Sequence, residues 1–507
     1  MSSSRDQRDT FTIGAAGGDE VVVPWPLFRR LYRRAREVVP GPKETPVGGR
    51  HHRWVVLWTV LAGLFSVNVT FTIFAVALTN VAHGLHTSLA DVTWVITAPL
   101  LTFGVAAPVL GKIGDTYGHR RLYLAGTALA VVCALLTAAA PNIGSLIAAR
   151  ALSGIDGAAA GAASMALIFR VFEEEDRTKA MGWWSLVGAG GPVIGVVVGG
   201  FLISAFGWRA LFLLQAPLTT AALVVAYLVL PETEPARSEA FDRAGAVAIT
   251  VSVTALLVGL NRGPVMGWSS PLVVGAFVLC PVAAVLFVRA ERRARAPLLP
   301  LELLRRRNFS FPIANQVFTN FAYMGGFILA PILLERVYGL STAGAGLMVI
   351  ARPLTFSIVA PVAGYLAGRV GQRFSAVAGS AALAASMAVF AVVTRESGTT
   401  WVILALALSG VGMGVASPSV AAAVANSVDE DSLGVASASQ QLMAQVGVVA
   451  GIQVMQTIQA SRQAAAGLVG SFHDAYLVGI VMCVAAAACG FGMLSRRMTA
   501  ASELAIS

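Results

Sequence analysis

From Trp54 onward the chain is a succession of long apolar runs separated by short polar segments, each run about the 20 residues a helix needs to cross a bilayer. Stretches such as 244–260 do not alternate between apolar and polar positions, which argues against the alternating ten-residue strands of a membrane β-barrel. With no water in the hydrocarbon layer, each run must satisfy its own backbone hydrogen bonds and is therefore expected to be helical. The pattern predicts fourteen spans: 54–81, 92–112, 122–140, 144–170, 180–205, 209–230, 244–262, 271–289, 309–334, 341–367, 374–394, 400–426, 435–460 and 474–495.

Composition agrees. Only 12% of the residues are charged against about 25% in soluble domains, and 56% are hydrophobic. A net charge of +10 would by itself suggest a nucleic-acid partner, but its distribution follows membrane topology instead. With a cytoplasmic N-terminus, 29 of the 36 Lys and Arg fall in the tails and loops assigned to the cytoplasm and five in the opposite set. Arg150 and Arg352 are left inside the membrane. An even number of spans then puts both termini in the cytoplasm. Few lysines, many arginines and abundant Ala, Gly and Val suggest a high-GC bacterial genome. Cys133, Cys280, Cys483 and Cys489 all lie in apolar runs and read as small packing residues rather than a disulfide framework.

In the N-terminal tail, Leu27, Phe28, Leu31, Tyr32, Ala35, Val38 and Val39 fall at helical spacing opposite Arg29, Arg30, Arg33, Arg34 and Arg36. This is the pattern of a basic amphipathic helix on the membrane surface. The alternative is a disordered basic tail that enforces topology. No cleavable apolar segment follows a short basic start, so a signal peptide is not expected.

An internal repeat organises the spans. Gly111-Lys-Ile-Gly-Asp115-Thr-Tyr-Gly118-His-Arg120-Arg121 follows the second span, and Gly364-Tyr-Leu-Ala-Gly368-Arg369-Val-Gly371-Gln-Arg373 follows the tenth. Each closes the second helix of a six-helix unit if spans 7 and 8 are an inserted pair. The expected architecture is all-α, 6+2+6: a cytoplasmic tail (1–53), an N-terminal bundle (54–232), two linker helices (233–300), a C-terminal bundle (301–498) and a second tail (499–507). Two related halves with a site between them are the construction of a rocking secondary transporter.

On these residues the chain resembles the major facilitator superfamily. Residues 111–121 are similar to its loop signature, Arg150-Ala-Leu-Ser-Gly154 to its arginine motif, and Gly191-Pro192-Val-Ile-Gly195 to the span-5 signature of antiporters. Trp208-Arg209-Ala-Leu-Phe, Phe241-Asp242-Arg-Ala-Gly245 and His473-Asp474-Ala-Tyr476 resemble signatures of the fourteen-helix drug:proton antiporter branch. The resemblance implies a bacterial cell-membrane permease that works as a monomer, exchanging protons for small molecules, with no cofactor.

It also implies a gate at the loop motif, where Gly111 permits close helix contact, Gly118 a tight turn, and Asp115 a helix cap or an ion pair with the other half. Arg120 and Arg121 complete that motif, which also reads as a simple charge-anchored turn. Gly191 and Gly195 share one face of span 5, where small residues let helices approach closely, and Pro192 removes a backbone bond. Packing alone would explain them equally well. Arg150 is carried over as a residue of proton relay or gating.

Asp156 departs from the pattern, since relatives usually have glycine there. An acid at mid-membrane is costly and marks either a pathway or a structural pair. Six residues after Arg150, it is placed on a different helical face. Arg352 either meets an anionic group or neutralises Asp156. In span 1, Thr70 stands where relatives typically carry an aspartate, leaving Asn68 and Thr72 as uncharged polar groups on one face. Asn315, Asn320, Tyr323 and Gln441 are the remaining candidates for the substrate cavity, each also readable as interhelical glue.

There is no phosphate loop, no histidine spacing for a metal and no nucleophile elbow, so ATP-driven transport and catalysis have no sequence support. The expected function is proton-coupled export of small amphipathic molecules such as drugs or antibiotics. A dedicated lipid or metabolite permease of the same fold is the alternative, and a transport-inactive sensor or scaffold is the alternative of another class.

Overall fold

The computed structural model describes residues 10–14, 20–24, 50–87, 89–233, 242–294 and 302–493. Every expected span falls on a helix. The first half holds α1 (Arg50–Gly84), α2 (Leu89–Tyr117), α3 (His119–Ala139), α4 (Ile143–Val171), α5 (Glu174–Phe206) and α6 (Trp208–Val229). Then come α7 (Arg243–Met266) and α8 (Pro271–Glu291). The second half holds α9 (Arg307–Arg336), α10 (Thr342–Val349), α11 (Ala351–Val370), α12 (Gln372–Val392), α13 (Thr399–Ala425) and α14 (Leu433–Gly492). Among the described residues, eleven helices are long and apolar enough to cross a membrane.

Two irregularities have local causes. The tenth span is split at Ile350 between α10 and α11, where Pro353 has no N–H to offer the Val349 carbonyl. The last two spans are two helices that meet at a kink at Gly467 (φ 73°, ψ 176°), and together they are labelled α14. A residue with a side chain rarely takes that conformation.

One element was not expected. Thr10–Gly14 (β1) pairs antiparallel with Glu20–Pro24 (β2), in register Thr12↔Val22. Both segments are rich in β-branched residues and flank a Gly-containing stretch, a hairpin pattern that the span-based reading passed over. The amphipathic segment at 27–39 lies outside the described residues.

Packing repeats between the halves. In the first, α1 packs on α5 and α6, α2 on α4, and α3 on α4 and α6. In the second, α9 packs on α14, α11 on α13, and α12 on α13 and α14. The correspondence reaches single atoms. A Cβ on Gly154 would strike Thr102, Pro99 O and Phe103 N, and one on Gly410 would strike Thr355, Arg352 O and Phe356 N. Thr102 Oγ1 donates to Ala151 O (2.6 Å), and Thr355 Oγ1 to Ala407 O (3.0 Å). Arg209 donates to Ala140 O (2.9 Å), and His473 Nε2 lies 2.8 Å from Val393 O.

The inserted hairpin packs on itself and along the seam between the halves. Val253 and Leu257 of α7 form one apolar cluster with Leu101 and Val105 of α2 and with Leu442 and Val449 of α14.

Candidate functional site

The two halves meet closely at the end of the bundle that carries the 111–121 loop. Gly111 lies against Gly434 O and Ala438 of α14, and Gly364 against Thr178 O and Gly182 of α5, so the contact is made twice with the same helices exchanged. A side chain at either glycine would force backbone apart. Between them, Trp183 Nε1 approaches Tyr365 Oη (3.5 Å), Ser185 Oγ approaches Ser417 Oγ (3.3 Å), and Arg177 donates to Asn426 Oδ1 (2.8 Å).

Asp115 adds hydrogen bonds across this contact. Its carboxylate is 2% exposed and accepts the Gly434 N–H at Oδ1 (2.9 Å) and the Val435 N–H at Oδ2 (2.8 Å). These are free donors in the first turn of α14, where an anion is favoured. His119, fully buried, holds Oδ1 from Nε2 at 2.9 Å. A carboxylate accepts only, so Nε2 carries the proton in this pairing. In the other half Gly368 stands in place of the acid with open space around it, so the acid's hydrogen bonds have no counterpart there.

The rest of the motif positions the loop. Gly118 has φ 99° and lies against Thr233, and Gly371 makes the matching turn with φ 88°. Arg120 pairs with Glu232 and donates to Tyr227 O (2.7 Å), tying the loop to the end of α6. Arg121 is exposed.

The buried charges occupy one place in each half. In the first, a cavity with room for about one water is lined by Val67, Cys133, Arg150, Asp156, Phe212 and Gln215 among others. Asp156 is 2% exposed and lies beside Cys133 and Arg150, whose charge acts on it. Arg150 Nε reaches Val95 O at 3.4 Å. Six residues do turn a helix by about 600°, but α4 is enclosed on nearly all sides. An arginine side chain spans the remaining angle, so different faces do not prevent a shared cavity.

Arg352 does not reach this cavity. It lies in the second half with its guanidinium over the Tyr323 ring (3.6 Å to the centroid) and near Phe327 (5.2 Å), and donates to Tyr323 O.

The polar candidates separate clearly. Gln441 lies between the halves, its amide against Gly161 of α4. Asn315 is fully buried inside the second half, donating to Ser380 Oγ (3.0 Å) and Ala486 O (2.7 Å). Tyr323 is buried there as well. Asn320 donates to Gln316 O (2.9 Å) and Asn68 to Leu64 O (3.0 Å), each within its own helix. Gly191 is buried, while Thr72, Pro192 and Gly195 lie outside the described side chains. Their counterparts Gly447 and Gly451 pack on Val317 O and Phe321 O, which is the close helix approach expected of such a pair.

Cys133, Gln215 and His119 were missed. A usable signal existed for the cavity: Ala151-Leu-Ser-Gly154 recurs as Ala407-Leu-Ser-Gly410, which aligns Asp156 with Gly412 and Arg150 with Leu406.

The family profile described as Major Facilitator Superfamily matches residues 60–452. The tetracenomycin C resistance and export protein of Streptomyces glaucescens is 30% identical over 83% of this chain and 79% of its own length. The methylenomycin A resistance protein of Streptomyces coelicolor is 29% identical over 82% and 88%. The multidrug resistance protein Stp of Mycobacterium tuberculosis is 28% identical over 79% and 74%. Two solved structures share the fold. The proton:xylose symporter XylE has a TM-score of 0.64 at 13% identity, covering 87% of this chain and 95% of that one. The human organic anion transporter MFSD10 has 0.62 at 16%, covering 85% and 99%. The chain belongs to the major facilitator superfamily and is a membrane transporter, not an enzyme.

Proposed function

We propose that the protein is a proton-coupled antiporter that exports small amphipathic molecules by alternating access. It would work as a single chain in a bacterial cell membrane with both termini cytoplasmic, and with the domain boundaries expected from sequence. The observation that carries the coupling is the placement of Asp156 and Arg150 in one buried cavity. An acid there can hold a proton when the arginine is turned away and release it when the arginine approaches. Export is supported by one relative whose name states resistance and export and by another whose name states resistance.

With that orientation the Asp115 contacts act as a lock on the cytoplasmic side, as expected of a state facing outward. Breaking the Asp115 contacts opens the inward path, and the one-sided lock makes its release the step for the proton to control.

The test is ethidium efflux from loaded cells. Cells producing the protein should extrude the dye when energised, stop when an uncoupler is added, and resume on its removal. No extrusion, or extrusion indifferent to the uncoupler, would sink this reading. A dedicated permease for an anionic compound would then take precedence, favoured by the buried Arg352 and by Thr70 in place of a span-1 acid.

A further inference from the structure

The pseudo-twofold relation superposes the Asp156 cavity on a second place, inside the C-terminal half, that the proposed function does not use. Cys133, Asp156 and Phe212 of the first correspond to Ser386, Gly412 and Tyr476 of the second, an alignment fixed by the matched contacts of Gly126 with Asp156 O and of Gly379 with Gly412 O and of Arg209 and His473. Each place holds one buried arginine, Arg150 from α4 and Arg352 from α11. Only the first holds an acid.

Arg352 is therefore a cation without a counter-charge. It is 1% exposed. The groups that feel its charge are Tyr323, Tyr476 and Cys483, and none of the ion pairs among the described residues includes it. Its third nitrogen serves Tyr323 O, but Nε and Nη1 have no hydrogen-bond partner, and neither has the Tyr476 hydroxyl. Tyr476 is fully buried, stacked on Phe390 at 4.6 Å between ring centroids. Two guanidinium nitrogens and one phenol hydroxyl, all buried, have no hydrogen-bond partner among the described residues. A lone ion in the membrane interior is strongly unfavourable unless something neutralises it. The face of Tyr323 offsets part of that cost but leaves the in-plane donors idle.

We infer that Arg352 and Tyr476 form an anion site inside the C-terminal half, which takes a small monovalent anion in the place that Asp156 fills in the N-terminal half. The anion is either free chloride or the carboxylate of a cargo molecule. Beside it, between α10 and α11, Ile350 keeps helical angles (φ −58°, ψ −28°) but Pro353 cannot donate to the Val349 carbonyl, which leaves a weakened turn at which this wall can bend as the halves rock.

The purified full-length protein distinguishes the two sources. Its thermal unfolding midpoint is measured at constant ionic strength in methanesulfonate, in chloride, and in methanesulfonate with added benzoate. A saturated site raises the midpoint by about 2–4 °C, in chloride if free halide is the source and in benzoate alone if the cargo carboxylate is. Tyr476→Phe keeps the stacked ring and removes only the hydroxyl, so it should fold and need about tenfold more of the active anion for half the effect. Arg352→Gln should lose the effect altogether. Equal midpoints in all three media for wild type, or an unchanged half-saturating concentration in Tyr476→Phe, overturns the proposal.

Discussion

Asp156→Asn should reduce ethidium efflux from energised cells to the level of cells without the protein, while ethidium-for-ethidium exchange in reconstituted vesicles continues near the wild-type rate. Asparagine copies the shape of a protonated carboxyl group but has no proton to release. Exchange requires only that the loaded halves rock, whereas uphill transport requires a proton to be taken up and shed in each cycle. The same substitution leaves Arg150 in the cavity without its counter-charge, and breaking a buried pair costs about 3–5 kcal/mol. Amounts of protein in the membrane must therefore be matched, with Asp156→Glu as the charge-preserving control. If the asparagine variant pumps like wild type, Asp156 is structural, and Arg150 and Asp115 become the groups to examine.

The second large effect is expected at the lock. Asp115→Ala removes the acceptor of two backbone donors at the start of α14 and the partner of His119. Hydrogen bonds to a charged group contribute about 1.5–3 kcal/mol each, and a negative charge at a helix N-terminus adds about 0.3–1 kcal/mol. Allowing for non-additivity, the closed state should weaken by about 2–4 kcal/mol, or about 30- to 700-fold in its ratio to the open state. Alkylation of a cysteine placed at Ala438, which faces Gly111 across the seam, reports this directly. Its rate from the cytoplasmic side should rise by a comparable factor. Gly111→Val should act in the same direction by pushing a branched side chain onto Gly434 O. An unchanged alkylation rate in both variants would show that closure does not depend on this contact.

Much of this was legible in the chain because membrane helices announce themselves by length. Span positions, the inserted pair and the two-half plan follow from apolar runs and one repeated loop. The asymmetry of the lock was legible too, as Gly368 opposite Asp115. What the acid would touch was not: the donors at Gly434 and Val435 lie more than three hundred residues away and belong to backbone, which carries no signature in a sequence.

The cavity around Asp156 draws Val67, Cys133 and Phe212 from three other helices, and no local pattern marks such a meeting. The repeated Ala-Leu-Ser-Gly at 151–154 and 407–410 would have aligned the halves at this point. The polar candidates show a different limit. Asn315 looks like cavity lining in sequence, yet its amide is used within one half, because helical phase alone does not say which apolar neighbour a polar face meets. The β1–β2 hairpin was passed over because the tail was read only for charge and helical spacing.

Substrate and protons should move in opposite directions through this one protein, which vesicles containing only the purified protein can show. Ethidium is added outside vesicles in symmetrical buffer, and an entrapped pH dye follows the interior. Ethidium entry should drive protons out, so the interior becomes alkaline, with no change in protein-free vesicles or in Asp156→Asn vesicles. Ethidium entry with no change in internal pH, or with acidification, would contradict it.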